Sequence, residues 1–314
     1  MSRVLLVRLD GIGDALVCTP LIAALREAGH EVGLALSDRN ADVFAPQTAT
    51  ETHVLERIPW PRHGSTSASR AQADAEIAAQ CYDVALIASE EPEAYELAAP
   101  VPQRVGFTTG WAKPFKSAWV KRRLTTAIAR AATVRGARGH EAEGMLALGR
   151  DLGAATAERD AAKLRGLITG PQALPQRCGV LVQLGAKWSA FGIADAVVAR
   201  LTAMLRERGA RFIAAPAERA AVQAQFPALT VDAPATTREW IASVDRAAAL
   251  VSPDTGAAHL AGMIGVPVVD VFPDAHFDVQ TRRWRPWASS SIVVRASELA
   301  KSPETLIAQA LDAL

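Results

Sequence analysis

Arg3-Val4-Leu5-Leu6-Val7-Arg8-Leu9-Asp10-Gly11-Ile12-Gly13-Asp14 decides the fold. Arg3–Leu9, with the unbroken apolar run Val4–Val7, reads as a strand buried on both faces, because a half-exposed strand would alternate apolar and polar residues. The glycines that follow permit a tight turn, and Asp14 to Ala28 reads as a helix ended by Gly29. A buried strand turned through glycine into a helix is the opening unit of a parallel α/β sheet.

The same alternation repeats outward from this unit. Val32–Leu36, Thr52–Arg57 and Asp83–Ala88 read as strands, and Ser69–Gln80 as a helix. A Gly- and Pro-rich break at Gly166–Pro175 follows. The pattern then restarts with strand Cys178–Leu184, helix Ile193–Gly209, strand Arg211–Ala215 and helix Thr237–Arg246. Strand Ala248–Ser252, helix Gly256–Ile264 and strand Val266–Phe272 complete it. Two such runs predict an α/β protein of two Rossmann-like, doubly wound domains facing across a cleft. The expected domains are 1–168 and 176–314, with the last helix able to pack back on the first. A length of 314 residues fits two domains better than one core.

Composition bounds the function. Half of the residues are hydrophobic and 21% are charged, which is globular and not disordered. A net charge of +1 names no global electrostatic partner. Cys18, Cys81 and Cys178 are odd in number and far apart. They fit neither a disulfide framework nor a zinc site, so a reducing, cytoplasmic setting is expected. No apolar stretch approaches the roughly 20 residues of a membrane span, so any membrane contact is expected to be peripheral.

The first loop carries the first candidate residue. Gly11-Ile12-Gly13 lacks the third glycine of a dinucleotide fingerprint, since Leu16 stands there, and this disfavours an NAD-dependent dehydrogenase. Asp14, at the start of the helix, is open to two readings: a helix N-cap, or a general base at the carboxyl edge of the sheet. The second loop is denser. After a strand come Pro253-Asp254-Thr255-Gly256-Ala257-Ala258-His259, then a helix ended by Gly265 and Pro267. Thr255 and Gly256 would present backbone N–H groups at a helix N-terminus, where the dipole favours an anion, with His259 one turn in. A diphosphate site explains more of these residues than a capped helix with a buried histidine.

Together, Arg8-Leu9-Asp10-Gly11-Ile12-Gly13-Asp14-Ala15-Leu16…Thr19-Pro20 and Asp254-Thr255-Gly256-Ala257-Ala258-His259-Leu260-Ala261…Gly265-Val266-Pro267 resemble glycosyltransferase family nine. These are the ADP-heptose:lipopolysaccharide heptosyltransferases. Arg104-Val105-Gly106-Phe107 and Gly139-His140-Glu141…Leu146…Leu148-Gly149 agree in type and order. The resemblance implies a GT-B fold with an N-terminal acceptor domain, a C-terminal donor domain and neither cofactor nor metal. It implies Asp14 as the catalytic carboxylate, Gly13 beside it on the acceptor side, and Asp254, Thr255, Gly256 and His259 as the donor loop. The implied partners are a nucleotide-sugar donor, ADP-heptose above all, and an anionic glycolipid acceptor.

The chain departs from the family in three segments. Leu184-Gly185-Ala186 keeps a family turn, but Phe191 stands at the basic position and Lys187 is the nearby lysine that could reach a diphosphate. Ala215-Pro216-Ala217-Glu218 replaces a glycine-rich turn, with Glu218 still able to accept from ribose hydroxyls. Pro273-Asp274-Ala275-His276-Phe277-Asp278 would, if extended, align Asp274, His276 and Asp278 on one face like metal ligands. The family needs no metal, and the segment is better read as altering which sugar is recognised.

Finally, Arg104, Lys113, Lys116, Lys121, Arg122, Arg123, Arg130, Arg135 and Arg138 occur in a stretch without Asp or Glu, interleaved with Trp111 and Trp119. A one-sided run in a nearly neutral protein reads as a docking surface for a polyanion. Stacking aromatics would suit nucleic acid, but the resemblance favours a lipopolysaccharide core, docked by Lys121, Arg122 and Arg123. The rival readings are a transferase acting on another sugar or on protein, and a nucleotide-binding homologue without activity.

Overall fold

The computed structural model describes residues 1–58, 64–108, 113–130, 139–154 and 156–314. They form two compact units. The first comprises Met1–Arg159 with Gly166–Gly170, and the second Asp160–Arg165 with Pro171–Leu314. The chain passes from one to the other within the helix Ala161–Thr169, so Gly166 is helical and the break begins later than its composition suggests.

The first unit is built on a six-stranded sheet of β1 (Arg3–Arg8), β2 (Glu31–Ser37), β3 (Thr52–Leu55), β4 (Val84–Ile87), β5 (Gln103–Thr108) and β6 (Thr126–Ala129). Its order is β3-β2-β1-β4-β5-β6, and every pairing is parallel. The second unit repeats the plan with β7 (Val180–Gln183), β8 (Arg211–Ile213), β9 (Val231–Asp232), β10 (Ala249–Pro253), β11 (Val268–Phe272) and β12 (Ser291–Arg295). The order there is β12-β11-β10-β7-β8-β9, again all parallel. Both orders are that of the doubly wound α/β fold, as expected. Central strands are buried along almost their whole length, whereas the edge strand β3 alternates.

Each sheet reverses its direction of winding at one point, between β1 and β4 and between β7 and β10. Loops leaving the carboxyl ends of the two strands at such a point diverge to opposite faces and open a crevice. Both candidate loops leave there: Leu9–Gly11 after β1, and Asp254–Thr255 after β10.

One expected helix is two. Asp14–Ala28 divides into Ile12–Leu16 and Thr19–Glu27. Pro20 has no N–H for the carbonyl of Leu16 and would collide with it inside a continuous helix. The Thr19 hydroxyl donates to that carbonyl instead, at 2.6 Å. The last helix, Pro303–Asp312, packs on helix Asp195–Glu207 and β11 of its own unit, burying Ile307 and Ala310 in that core.

Candidate functional site

The loop after β1 turns at Gly11, which occupies the N-cap of Ile12–Leu16 with no side-chain cap. Asp14 is therefore not the N-cap; it is the third residue of the helix. Its carboxylate is held from below by Arg8, the last residue of β1. The Arg8 guanidinium is 5% exposed and lies 2.6 Å from Asp14 Oδ1 and 3.1 Å from Asp10 Oδ2. It also donates to the carbonyl of Ala88, just past β4. Asn40 fastens the turn, donating to the carbonyls of Arg8 and Asp10 at 3.2 and 2.9 Å. Beside them, burial pushes the Cys18 thiol up to about 12, which keeps it a thiol rather than a nucleophilic thiolate. The sequence reading assigned no role to Arg8, Asp10 or Asn40. Arg8 was legible as an arginine at the end of a buried strand, where a charge needs partners.

The basic run divides. Lys116 binds Glu90 at 3.0 Å, and Arg130 pairs with Glu141 and approaches Glu90. Burial would raise the Glu90 pKa, but Lys116, Arg130 and Lys113 outweigh it and hold the carboxylate below its ordinary range. These groups lie near the carboxyl ends of β4 and β6, as Asp14 lies near that of β1. Lys121, Arg122 and Arg123 do not. The Arg123 carbonyl accepts from Arg104 at 2.7 Å, at the start of β5, and its own guanidinium stacks 3.6 Å from the Trp119 ring centre. The trio is thus at the amino edge of the sheet, away from Asp14, because the helix Pro114–Lys121 returns the chain to begin a parallel strand. The trio, expected to dock an anionic acceptor, therefore stands at the opposite end of the sheet from Asp14. Trp111, Arg135 and Arg138 lie outside the described residues. His140 caps helix Glu141–Leu146, its ring accepting from the Ala142 N–H.

In the second unit, β10 delivers Asp254 and Thr255 to the N-terminus of helix Gly256–Ile264. Thr255 is the N-cap: its hydroxyl accepts from the Ala257 N–H at 3.3 Å and bonds Ser252 Oγ at 3.0 Å. The Asp254 N–H donates to the Val271 carbonyl, tying the loop to β11. His259 is 8% exposed, with Nε2 3.5 Å from Asp254 Oδ1 and its ring edge-on to Trp284. Beneath the loop, Asp270 stands on β11 in register with Ser252 and is fully buried. Among the described residues neither of its carboxyl oxygens has a hydrogen-bond partner. Burial, helped by the charge of Asp254, pushes its pKa well above the ordinary carboxyl value and so favours the protonated form.

β7 neighbours β10, so the turn Leu184-Gly185-Ala186-Lys187 leaves the sheet beside the Asp254 loop. Gly185 has φ +153°, and a Cβ there would lie 2.5 Å from Glu218 Oε2. The Ala186 N–H donates to Glu218 Oε1 at 2.9 Å. Glu218 is therefore a support for this turn as well as a candidate for the ribose. Lys187 is exposed, its ammonium 5.0 Å over the ring of Phe191, the residue found at the family's basic position. The segment 274–278 is not extended. Phe277–Trp284 is a helix, Asp274 is engaged by Ser297 at 2.5 Å, and Asp278 approaches Arg295. Among the described residues no cluster of His, Cys, Asp and Glu could hold a metal ion.

Each unit thus offers one arrangement at its switch point: a carboxylate fixed by a buried arginine, and an N-terminal anion site backed by histidine. The first can accept a proton and the second can receive an anion.

Residues 180–313 match the model of glycosyltransferase family 9 (heptosyltransferase). These residues, less than half of the chain, are similar to a domain of that family, which supports a glycosyltransferase. No curated protein matches it significantly in sequence. Among solved structures, E. coli heptosyltransferase WaaC with ADP is 18% identical, with TM-score 0.72 over 99% of both chains. E. coli ADP-heptose lps heptosyltransferase II is 14% identical, with TM-score 0.70 over 99% of this chain and 98% of that one. A family 9 glycosyltransferase from Veillonella parvula is 15% identical, with TM-score 0.70 over 98% of this chain and 89% of that one. At such identities the likeness shows a shared fold, that of the GT-B glycosyltransferases.

Proposed function

We propose that the chain transfers a heptose-like sugar, from ADP-heptose or a close relative, to a lipopolysaccharide core acceptor at the cytoplasmic membrane face. The observation that carries this reading is that one unit holds Asp14 on Arg8 while the other, separately, holds the Thr255-capped helix with His259. The domain family and the ADP bound to the similar E. coli enzyme support it.

The chemistry is one in-line displacement at the anomeric carbon with inversion, without a metal. Asp14 takes the proton of the acceptor hydroxyl as that oxygen attacks, with Gly13 keeping the backbone clear beside it. The bond to the diphosphate breaks, and its charge is met by the N–H groups following Thr255 and Gly256. Asp254 orients His259, which adds a hydrogen bond, and Lys187 can swing from Phe191 to add charge. Glu218 accepts from the ribose with the oxygen not bound to Ala186.

The engagement of Lys187 by Phe191 and of Glu218 by Ala186 favours one second reading: another nucleotide or sugar, or binding without turnover. Isothermal titration with ADP, UDP and GDP, followed by transfer assays with the matching sugar donors, separates these. Tight ADP binding with transfer supports the proposal, and preference for another diphosphate redirects it.

A further inference from the structure

We propose that the outward face of helix Pro114–Lys121 docks on an anionic lipid bilayer, with Phe115 entering the headgroup layer and Lys113, Lys121 and Arg122 meeting lipid phosphates. The contact does not depend on the transferase reading and would stand if the donor were another sugar.

Successive residues of a helix are rotated by about 100°, so Phe115, Ala118, Lys121 and Arg122 share one side. All four are exposed. The opposite side is anchored: Ser117 and Val120 are buried, and Trp119 meets Tyr95 edge-on at 5.8 Å. The helix cannot roll to hide Phe115 without exposing these residues. Phe115 is 91% exposed, matched among the large apolar side chains described only by Met1 at the terminus. A phenyl ring kept in water beside cations gives up burial that the fold could otherwise use.

The charges select the partner. Lys116 and Arg130 are neutralised by Glu90 and Glu141, and Arg123 is stacked on Trp119. Lys121 and Arg122 form no ion pair with any described residue, and Lys113 is exposed at the helix start with only the distant field of Glu90. A soluble polyanion would use these cations but leave Phe115 without a purpose. A bilayer uses both, since an aromatic ring partitions into the interface while lysine and arginine meet its negative surface. This assigns Lys121 and Arg122, which stand away from Asp14, to holding the protein on an anionic membrane surface.

Co-sedimentation with vesicles tests it. The parent protein should bind vesicles of equal parts phosphatidylcholine and phosphatidylglycerol, and bind phosphatidylcholine alone far more weakly. Phe115→Ala should weaken binding to the mixed vesicles by about tenfold, the scale of one lost interfacial side chain. Lys121→Ala with Arg122→Ala should weaken it by about twenty-five-fold, from roughly fivefold for each surface charge. ADP binding in each variant, read by calorimetry, should be unchanged and shows that the fold is intact. Failure of the parent to bind anionic vesicles would overturn the proposal, as would Phe115→Ala binding as the parent does. Retention on heparin that Phe115→Ala leaves untouched, with no vesicle binding, would reassign the cations to a soluble polyanion.

Discussion

The guanidinium of Arg8 binds one oxygen of Asp14 at 2.6 Å and also faces Asp10, so a buried cation fixes the carboxylate from beneath the first loop. The bond goes to Oδ1, while Oδ2 lies on the Gly11 side of the carboxylate, 3.6 Å from where a Cβ on that glycine would stand. Holding one oxygen orients the other, which is what a general base needs to meet a hydroxyl proton repeatedly in one geometry.

Arg8→Gln should therefore act on turnover rather than on donor affinity. It removes the cation that both carboxylates share, and breaking a buried pair costs about 3 kcal/mol of stability. The expected kinetic outcome is a kcat at least about tenfold lower, with ADP affinity unchanged because the donor loop belongs to the other unit. Steady-state kinetics with thermal melts checks both parts, and an unchanged kcat in a folded variant would dissociate Arg8 from Asp14.

The donor loop makes a separate prediction. His259→Ala should weaken ADP binding by about tenfold or more, the scale of a lost hydrogen bond to a charged group. Thr255→Val removes the N-cap hydroxyl and its bond to Ser252, so it should cost about 1 kcal/mol of stability and weaken ADP as well. Calorimetric ADP titration is the measurement. Parent-like affinity in both variants would move the diphosphate away from this helix.

Much of this was legible in the sequence. Apolar runs such as Val4–Val7 and Ala248–Ser252 revealed the central strands, because strands covered on both faces are continuously apolar. The edge strands β6, β9 and β12 and their neighbour β5 were not read, since Gln103-Arg104 and Thr126 begin half-exposed segments that carry little pattern. The Asp254–His259 loop was readable because cap, glycine and histidine stand together in sequence. The Arg8–Asp14 pair and Asp270 beneath Asp254 depend on contacts that local spacing does not report. The position of Lys121–Arg123 was hidden for a related reason: a charge run shows that cations cluster, but not at which end of a sheet.

Asp270 predicts a pH dependence of opposite sign to that of an ion-paired aspartate. Its pKa is raised in the folded protein by burial and by Asp254. From the unfolded carboxyl value of about 3.9 upward, the unfolded chain has lost a proton that the fold retains. Stability from this group is therefore fully present below that pH and is lost as pH rises toward the folded value. Asp270→Asn, which imitates the protonated form, should be more stable than the parent at neutral pH, with a gap that widens from pH 5 to 8. Melting curves across that range decide it, and a gap of opposite sign would mean that the buried carboxyl is ionised.

Gly185 predicts a coupled defect. A Cβ there would meet the Glu218 carboxylate at 2.5 Å, and φ +153° is a conformation that side chains avoid. Gly185→Ala should cost about 1–3 kcal/mol and displace Glu218 from the Ala186 N–H, weakening nucleotide binding in the same variant. Chemical denaturation and ADP titration are the paired measurements. A variant that loses stability but keeps full affinity would restrict Glu218 to supporting the turn.

The most direct measurement is transfer from ADP-heptose to a heptose-free lipopolysaccharide core by the parent and by Asp14→Asn, with and without a chelator. The parent should form product of inverted anomeric configuration, and the chelator should change nothing. Asp14→Asn should bind ADP normally but turn over at least about a hundredfold more slowly, the scale of a lost general base. Near-parent turnover by Asp14→Asn, or activity abolished by the chelator, would contradict the proposed mechanism.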